Sequence, residues 1–246
     1  MLTNELTKKN VLTIIGSNNI DSESRIIFNK ILKEINFDEN YEYKQIALKD
    51  YYIKYCKGCK SCFKKGYCHL DKNDNMHLIR RELKKADIIF FVVPVYAHNV
   101  PGKMKTMIDR LSYEFHLMEL CGRVGFSIVV TDISGAERVN DYIYDIFTNL
   151  GIKQIGNYSY KHCINYQETN IDIFKNIALS IKEKINANDD FTNNDLEHFY
   201  TYYKEKYNGN VNLCDNIENF WNRTEVKLSD SFQEFCEKLK NNNIEI

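Results

Sequence analysis

The chain has 246 residues, which is enough for one domain with an extension or for two small domains. Its 33 basic and 34 acidic side chains leave a net charge of -1, so no overall field would attract nucleic acid or an anionic membrane. No apolar run approaches the roughly 18–20 residues that span a bilayer, and the polar first residues lack the apolar centre of a signal peptide. We therefore expect a cytoplasmic protein, in which thiols stay reduced.

The first two thirds of the chain alternate between strand-like and helix-like segments. Apolar β-branched runs predict strands, and apolar residues three or four apart predict the helices between them. The strands are expected at 11–15, 41–48, 87–93, 124–130 and 152–160, and the helices at 24–35, 74–84, 101–111 and 137–150. The run at 87–93 is apolar enough to be buried on both faces. These alternations predict an α/β fold with a parallel sheet and helices on both faces.

The pattern changes near residue 172. Helices are expected at 173–185, 196–207 and 231–239, separated first by a polar linker at 186–194. This tail holds the single tryptophan, Trp221, beside Phe220. It is either a helical cap or dimer arm, or a lid over a substrate. We expect a division into residues 1–165 and a helical C-terminal extension, residues 166–246.

Four cysteines fall within thirteen residues after the second strand. Cys56, Cys59, Cys62 and Cys68 have the spacing C-x2-C-x2-C-x5-C. A [4Fe-4S] cluster presents an iron at each of four corners, and closely spaced cysteines can each bind one. Zinc sites more often use two ligand pairs with a longer spacer. The pattern favours the cluster, with free or redox-active thiols and zinc as alternatives.

Lysines surround these cysteines although the whole chain is nearly neutral. They are Lys54, Lys57, Lys60, Lys64 and Lys65. They form either an ordinary solvated surface or a patch that offsets an anionic cluster and attracts an acidic electron carrier.

In a doubly wound sheet, ligands bind beyond the carboxyl ends of the strands. The loop after the first strand has hydroxyls at Ser17, Ser22 and Ser24, which with the amides of a helix start can hold a phosphate. The same residue types are also ordinary helix caps. The loop is neither a P-loop nor a dinucleotide fingerprint, because it lacks the lysine of the first and the glycines of the second.

The loops after the third and fourth strands carry further candidates. Tyr96 is placed to lie against a planar aromatic ligand, and residues 131–136 could complete a wall around that ring. His98 is a weaker acid–base candidate because it stands alone in its loop. We expect Asp109 and Arg110 to fix their helix by charge pairing rather than to touch a ligand.

Taken in order, several of these segments resemble the NADPH-dependent FMN reductase family. They are Gly16-Ser17, Ser22-x-Ser24, Pro94-Val95-Tyr96, Lys105 and Ile108-Asp109-Arg110. The cysteine loop and the following Asp74-Asn75-Met76 resemble its iron–sulfur flavoprotein branch. The resemblance covers residues 10–160.

The resemblance implies a flavodoxin-like three-layer α/β/α fold with strand order 2-1-3-4-5, and FMN as cofactor. It implies that the FMN phosphate contacts Ser17, Asn18, Ser22 and Ser24. The isoalloxazine would lie along the second and third loops, with the contacts Pro94, Val95, Tyr96, Ala97, His98, Asn99, Thr131 and Gly135. The phosphate loop also carries Asp21 and Glu23 and no Arg or Lys, which would weaken FMN binding unless both carboxylates face water.

Our leading hypothesis is an FMN-dependent oxidoreductase that acts as an iron–sulfur electron-transfer flavoprotein. FMN exchanges one or two electrons and a cluster passes one at a time, so the pair would connect a donor such as NAD(P)H to carriers such as ferredoxin. The alternatives are a cluster-free NAD(P)H-dependent FMN or quinone reductase and a zinc-stabilised binding module. The resemblance points to a homodimer or homotetramer.

Overall fold

The computed structural model of the chain describes residues 8–165, 171–207 and 215–241. Its centre is a five-stranded sheet with the order β2-β1-β3-β4-β5, in which every neighbouring pair is parallel. The strands are β1 (Lys9–Ile15), β2 (Tyr41–Ala47), β3 (Ile88–Pro94), β4 (Arg123–Thr131) and β5 (Ile152–Lys161). The predicted fold class and strand order are therefore confirmed.

Twelve α-helical segments connect and follow these strands in the described residues. They are α1 (Glu23–Ile35), α2 (Ser61–Lys65), α3 (Met76–Lys85), α4 (Gly102–Asp109), α5 (Ser112–Phe115), α6 (Ala136–Leu150), α7 (His162–Asn165), α8 (Ile171–Ala187), α9 (Asn194–Tyr207), α10 (Asp215–Trp221), α11 (Thr224–Lys227) and α12 (Phe232–Asn241). The segments without a sequence prediction, α2, α5, α7, α10 and α11, are too short to show a helical period. In the described ranges, none of the helices is both long and apolar enough to cross a membrane.

The sheet is covered on both faces, as the apolar run of β3 predicts. Phe91 points to the face covered by α3, α4 and α6 and lies 4.6 Å from the ring of Phe147. Phe90 points to the opposite face and lies 5.4 Å from Phe28 of α1. Because both faces of β3 are buried, the loops at its ends are held by a rigid support.

The C-terminal helices divide between two packing environments. The helix α8 packs on α1 and contributes Ala178, Ile181 and Ile185 to the core on that sheet face. The helices α9, α10 and α12 instead build a separate apolar cluster around Trp221, together with Leu117 and other residues that follow α5. The predicted domain boundary between residues 165 and 166 stays a prediction. The first described helix of the predicted extension, α8, packs on the sheet domain.

Candidate functional site

An open cleft of about 240 Å³ lies at the carboxyl ends of β1, β3 and β4. The strand order reverses between β1 and β3, and this is where doubly wound sheets bind ligands. The cleft is lined by Ser17, Asn19, Asp21, Ser22, Glu23, Ser24, Pro94, Val95, Tyr96, Val130, Thr131 and Asp132. It thus brings together candidates from all three predicted loops. The predicted contacts that do not line it are Asn18, Ala97, His98, Asn99 and Gly135.

The first loop is held against the sheet so that its hydroxyls face the cleft. A Cβ on Gly16 would meet Val93 Cγ1 at 2.7 Å, so only glycine allows this close approach. Ser22 immediately precedes α1, and its side chain makes no capping hydrogen bond to the helix. Its Oγ instead lies 2.7 Å from Ser24 Oγ. The first amides of a helix have no partner within the helix. The loop therefore offers hydroxyls and helix amides, a donor set suited to phosphate.

Two carboxylates lie beside these donors. Asp21 and Glu23 both line the cleft and are exposed. Glu23 Oε1 lies 2.6 Å from His162 Nε2, at the end of β5. A protonated His162 would offset the charge of Glu23 next to the phosphate donors. Sequence reasoning missed this histidine, which lies 139 residues from its partner in the chain.

The second loop makes a tight turn that carries Tyr96 at the cleft rim. The Tyr96 amide donates to the Asn99 carbonyl at 2.8 Å, and the Asn99 amide donates back to Tyr96 at 3.0 Å. The two central residues, Ala97 and His98, have φ angles of 48° and 60°. Such a turn usually has Asn or Gly in these positions, because other side chains are strained there. The buried strand β3 supports the strained backbone of Ala97 and His98.

The third loop, which follows β4, packs against the second loop, which follows β3. Gly135 has a φ of +88°, and a Cβ there would lie 2.9 Å from His98 Nδ1 and 3.0 Å from Val95 Cγ1. His98 and Gly135 are thus packed against each other, and neither lines the cleft. Thr131 does line it, and its hydroxyl donates to the Ser134 carbonyl at 2.6 Å.

The four predicted metal ligands are free thiols in a loop that leaves the carboxyl end of β2. Cys56 and Cys59 are exposed, and Cys62 and Cys68 are half-buried. Burial raises the pKa of Cys62 to about 11, with further contributions from the charges of Cys68 and Glu114. A thiol with so high a pKa is a poor nucleophile at neutral pH, which disfavours a reactive role for Cys62.

The donor set of this loop suits a cluster. It provides four accessible thiols, the ligands that iron–sulfur clusters use. Cys59 Sγ lies 3.9 Å from His69 Nδ1. Across the residues that the structure describes, no three His, Cys, Asp or Glu side chains are gathered closely enough for a metal ion. The thiols would therefore have to close around the cluster when it binds.

Both arms of the cysteine loop are tied to each other at its base. Asn75 exchanges two hydrogen bonds with the backbone of Tyr52, each 2.8 Å long. Asp74 Oδ2 accepts from the Lys54 amide at 3.0 Å and is also paired with Arg110. Burial alone would raise the pKa of Asp74, but these bonds outweigh it and lower the pKa. The Asp74-Asn75 motif thus closes the loop.

The charge pairing expected for Asp109 and Arg110 is present in two different forms. Asp109 pairs with Lys105 inside α4. Arg110 instead pairs with Asp71 and Asp74, which follow the cysteines. Arg110 therefore fixes the cysteine loop as well as the end of its own helix.

The C-terminal helices also contact the cysteine loop, which sequence reasoning did not predict. Phe63 lies edge-on to Tyr113 and His116, with ring centroids 5.8 and 5.1 Å away. Asn216 of α10 donates to the Lys64 carbonyl at 2.9 Å. The described part of the extension contributes no residue to the cleft lining. Its helices α9, α10 and α12 are therefore placed as a cap beside the cysteine loop.

A parallel sheet with a phosphate-type loop at its point of reversal defines a flavodoxin-like protein. The model of the NADPH-dependent FMN reductase family matches residues 9–163, and the chain belongs to that family. The resemblance to its iron–sulfur flavoprotein branch is confirmed by relatives of that name. One from Archaeoglobus fulgidus is 31% identical over 144 residues, which cover 58% of this chain and 64% of the relative. This chain thus spans less than two thirds of that relative's length.

Solved structures share the fold. RosB with a bound 8-demethyl-8-formylriboflavin-5'-phosphate intermediate is 11% identical with a TM-score of 0.58, over 90% of this chain and 95% of RosB. An NAD(P)H:quinone oxidoreductase from Methanothermobacter marburgensis is 12% identical with a TM-score of 0.57, over 74% of this chain and 98% of that enzyme. At such identities the likeness concerns the fold alone.

Proposed function

We propose that the protein is an FMN-containing oxidoreductase that exchanges electrons between its flavin and a [4Fe-4S] cluster on Cys56, Cys59, Cys62 and Cys68. The observation that carries this proposal is the cysteine loop itself. It offers four accessible free thiols, and its two arms are tied together by buried contacts. Membership in an FMN reductase family supports FMN in the cleft.

The cleft residues have distinct roles in this proposal. Ser17, Ser22, Ser24 and the first amides of α1 would hold the phosphate, with Asn18 beside them. Tyr96 and the backbone of the second and third loops would orient the isoalloxazine. When bound, FMN can exchange electrons singly or in pairs, and a cluster exchanges them singly. NAD(P)H is the proposed donor, and no side chain is assigned to proton transfer.

Cofactor analysis of protein purified without oxygen tests the proposal. We expect one FMN and about four irons and four sulfides per chain, with a broad absorbance shoulder beneath the flavin bands. Flavin without iron after reconstitution would instead identify a cluster-free NAD(P)H-dependent FMN or quinone reductase. Zinc without flavin would identify a non-catalytic binding module.

The basic surface around the cysteines supports the proposal that the partner is an acidic one-electron carrier, such as a ferredoxin. Lys57, Lys60, Lys64 and Lys65 are exposed there, and the side chain of Tyr55 is 80% exposed. If this patch guides the carrier, electron exchange slows as salt rises, because charges more than about 10 Å apart are screened at 0.1 M. A rate that is indifferent to salt would make the lysines ordinary surface residues.

We also propose a homodimer or homotetramer in the cytoplasm. Apolar side chains that follow three different strands are exposed at the carboxyl edge of the sheet, among them Ile20, Ile133 and Ile164. Contacts between copies would cover them. Light scattering at micromolar concentration tests the assembly, and a monomer would contradict it. Free thiols suit a reducing compartment, which fractionation of the source cells would check.

A further inference from the structure

Arg110 is a buried cation that joins the two arms of the cysteine loop. Its side chain has no exposed surface. Its Nη1 donates to the Lys54 carbonyl at 3.0 Å and pairs with Asp74, while its Nη2 pairs with Asp71. Lys54 lies two residues before the first cysteine, and both aspartates lie after the last. One guanidinium therefore bonds to both arms.

One N–H of this guanidinium is left without an acceptor. Nε of Arg110 is buried and has no hydrogen-bond partner in the described part of the chain. Buried donors are nearly always hydrogen-bonded, so we expect this unpaired N–H to find its acceptor when a ligand binds. Three of the other four N–H groups of Arg110 donate to the loop arms, and the Nε–H lies in the same rigid plane.

Cys68 is linked to this guanidinium through Asp71, whose amide donates to the Cys68 carbonyl at 3.1 Å and whose carboxylate pairs with Arg110 Nη2. Burial lowers the pKa of Arg110, but the hydrogen bond that it donates to Asp74 and then the charge of Cys68 raise it, and the net shift is upward. Arg80 provides a contrast, because its pKa is raised by Glu114 and Asp71. Arg80 also donates to the Arg110 carbonyl, so it supports Arg110 from the side.

We propose that Arg110 is a positioning residue of the cluster: it locks the two arms of the cysteine loop and donates its free Nε–H to the sulfur of Cys68 when the cluster is bound. This inference rests on the proposed function, since it assigns Arg110 to the cluster. A permanent positive charge beside a cluster favours the reduced form, which is the more negative one. Hydrogen bonds to cluster sulfur act in the same direction.

Two substitutions separate the charge from the geometry. Arg110→Gln removes the charge, and Arg110→Lys keeps it but cannot reach three acceptors at once. In an anaerobic redox titration, we expect Arg110→Gln to lower the ratio of reduced to oxidised cluster by about tenfold at a fixed potential, because a buried charge acts through a low dielectric. Arg110→Lys keeps the charge but loses the Nε–H bond, so its ratio should fall less than that of Arg110→Gln, and it should release iron faster.

Arg80→Gln is the matched control. It also removes a partly buried arginine from this network, but one whose bonds are to Glu114, Asp71 and the Arg110 carbonyl. We expect Arg80→Gln to weaken the loop while leaving the potential near that of the wild type. Equal shifts in Arg80→Gln and Arg110→Gln, or no shift in either, would overturn the inference.

The wild type separates this inference from the proposed function. If wild-type protein takes up no iron, the proposed function fails before Arg110 is tested. If it does, protein grown with ¹⁵N-arginine should show an arginine nitrogen coupled to the reduced cluster in pulsed EPR. This readout needs no folded variant. A loaded wild type without such a coupling would overturn the role of Arg110 and leave the cluster assignment standing.

Discussion

The cleft and the cysteine loop reach their geometry by opposite routes. The cleft collects residues from distant parts of the chain, such as Ser17, Tyr96 and Thr131, and each lies at or just beyond the end of a buried parallel strand. The cysteine loop has its four thiols within thirteen residues, but two of them are exposed and two are only half-buried. Its order comes from elsewhere, through Arg110 and the helix α10.

This difference shows that closeness in sequence does not make a site rigid. The loops of the cleft begin on strands that are buried on both faces, so the cleft is shaped before a ligand enters. The cysteines are not gathered into a metal site in the described residues, and their supports fix only the base of the loop. The two sites should therefore fail independently when either is altered.

The largest effect is expected for Cys59→Ser. The substitution removes one of four cluster ligands, so most of the iron should be lost. FMN should stay bound, because no cysteine lines the cleft. Iron and flavin are measured per chain after anaerobic reconstitution. Cys163→Ser is the control, since Cys163 is an exposed thiol outside the loop. Equal iron in the Cys59 variant and the wild type would remove Cys59 from the ligand set.

The reciprocal effect is expected for Ser17→Asp. It places a carboxylate among the phosphate donors, and like charges at contact should weaken FMN binding by at least about a hundredfold. The cluster should remain. For comparison, Asn18→Asp adds the same charge one residue further on, at an exposed side chain that does not line the cleft, and should weaken FMN binding less. Fluorescence titration of the apoprotein with FMN measures both. If Asn18→Asp were the more damaging, the phosphate would lie nearer Asn18.

The sequence predicts much of the cleft and little of the support of the cysteine loop. The strands and the loop after β1 could be predicted because runs such as 87–93 and motifs such as Ser22-x-Ser24 are local, and the strand order followed from the family resemblance. The pairs Glu23–His162, Arg110–Asp74 and Asn216–Lys64 could not, because each joins residues that only the folded chain brings together. Their partners lie 139, 36 and 152 residues apart.

A smaller effect is expected when the long-range partner of the phosphate loop is removed. His162→Gln keeps a hydrogen-bonding group beside Glu23 but cannot carry a charge. FMN affinity should fall by up to about tenfold, because the carboxylate of Glu23 loses its partner and repels the phosphate. The double variant Glu23→Gln/His162→Gln should recover most of the loss. Calorimetry with FMN tests this, and an unrecovered loss would make His162 important for reasons other than charge.

The smallest effect concerns the long-range support of the cysteine loop. His116 lies between Phe63 and the extension, with its Nδ1 2.7 Å from the Tyr207 hydroxyl. Burial, and then the charge of Lys206, lower the pKa of His116 below its ordinary 6.5. The folded state therefore prefers neutral His116. Its stabilising contribution is complete above pH 6.5 and is lost as the pH falls through the lowered pKa.

Urea unfolding between pH 5 and pH 7.5 would reveal this loss. Trp221, the single tryptophan, reports on the extension because it is buried and donates to the His116 carbonyl at 2.9 Å. The free energy of unfolding should fall on acidification in the wild type and less steeply in His116→Gln, which cannot be protonated. His77→Gln is the control, since His77 lies in α3. Equal slopes in wild type and His116→Gln would show that His116 does not link pH to this contact.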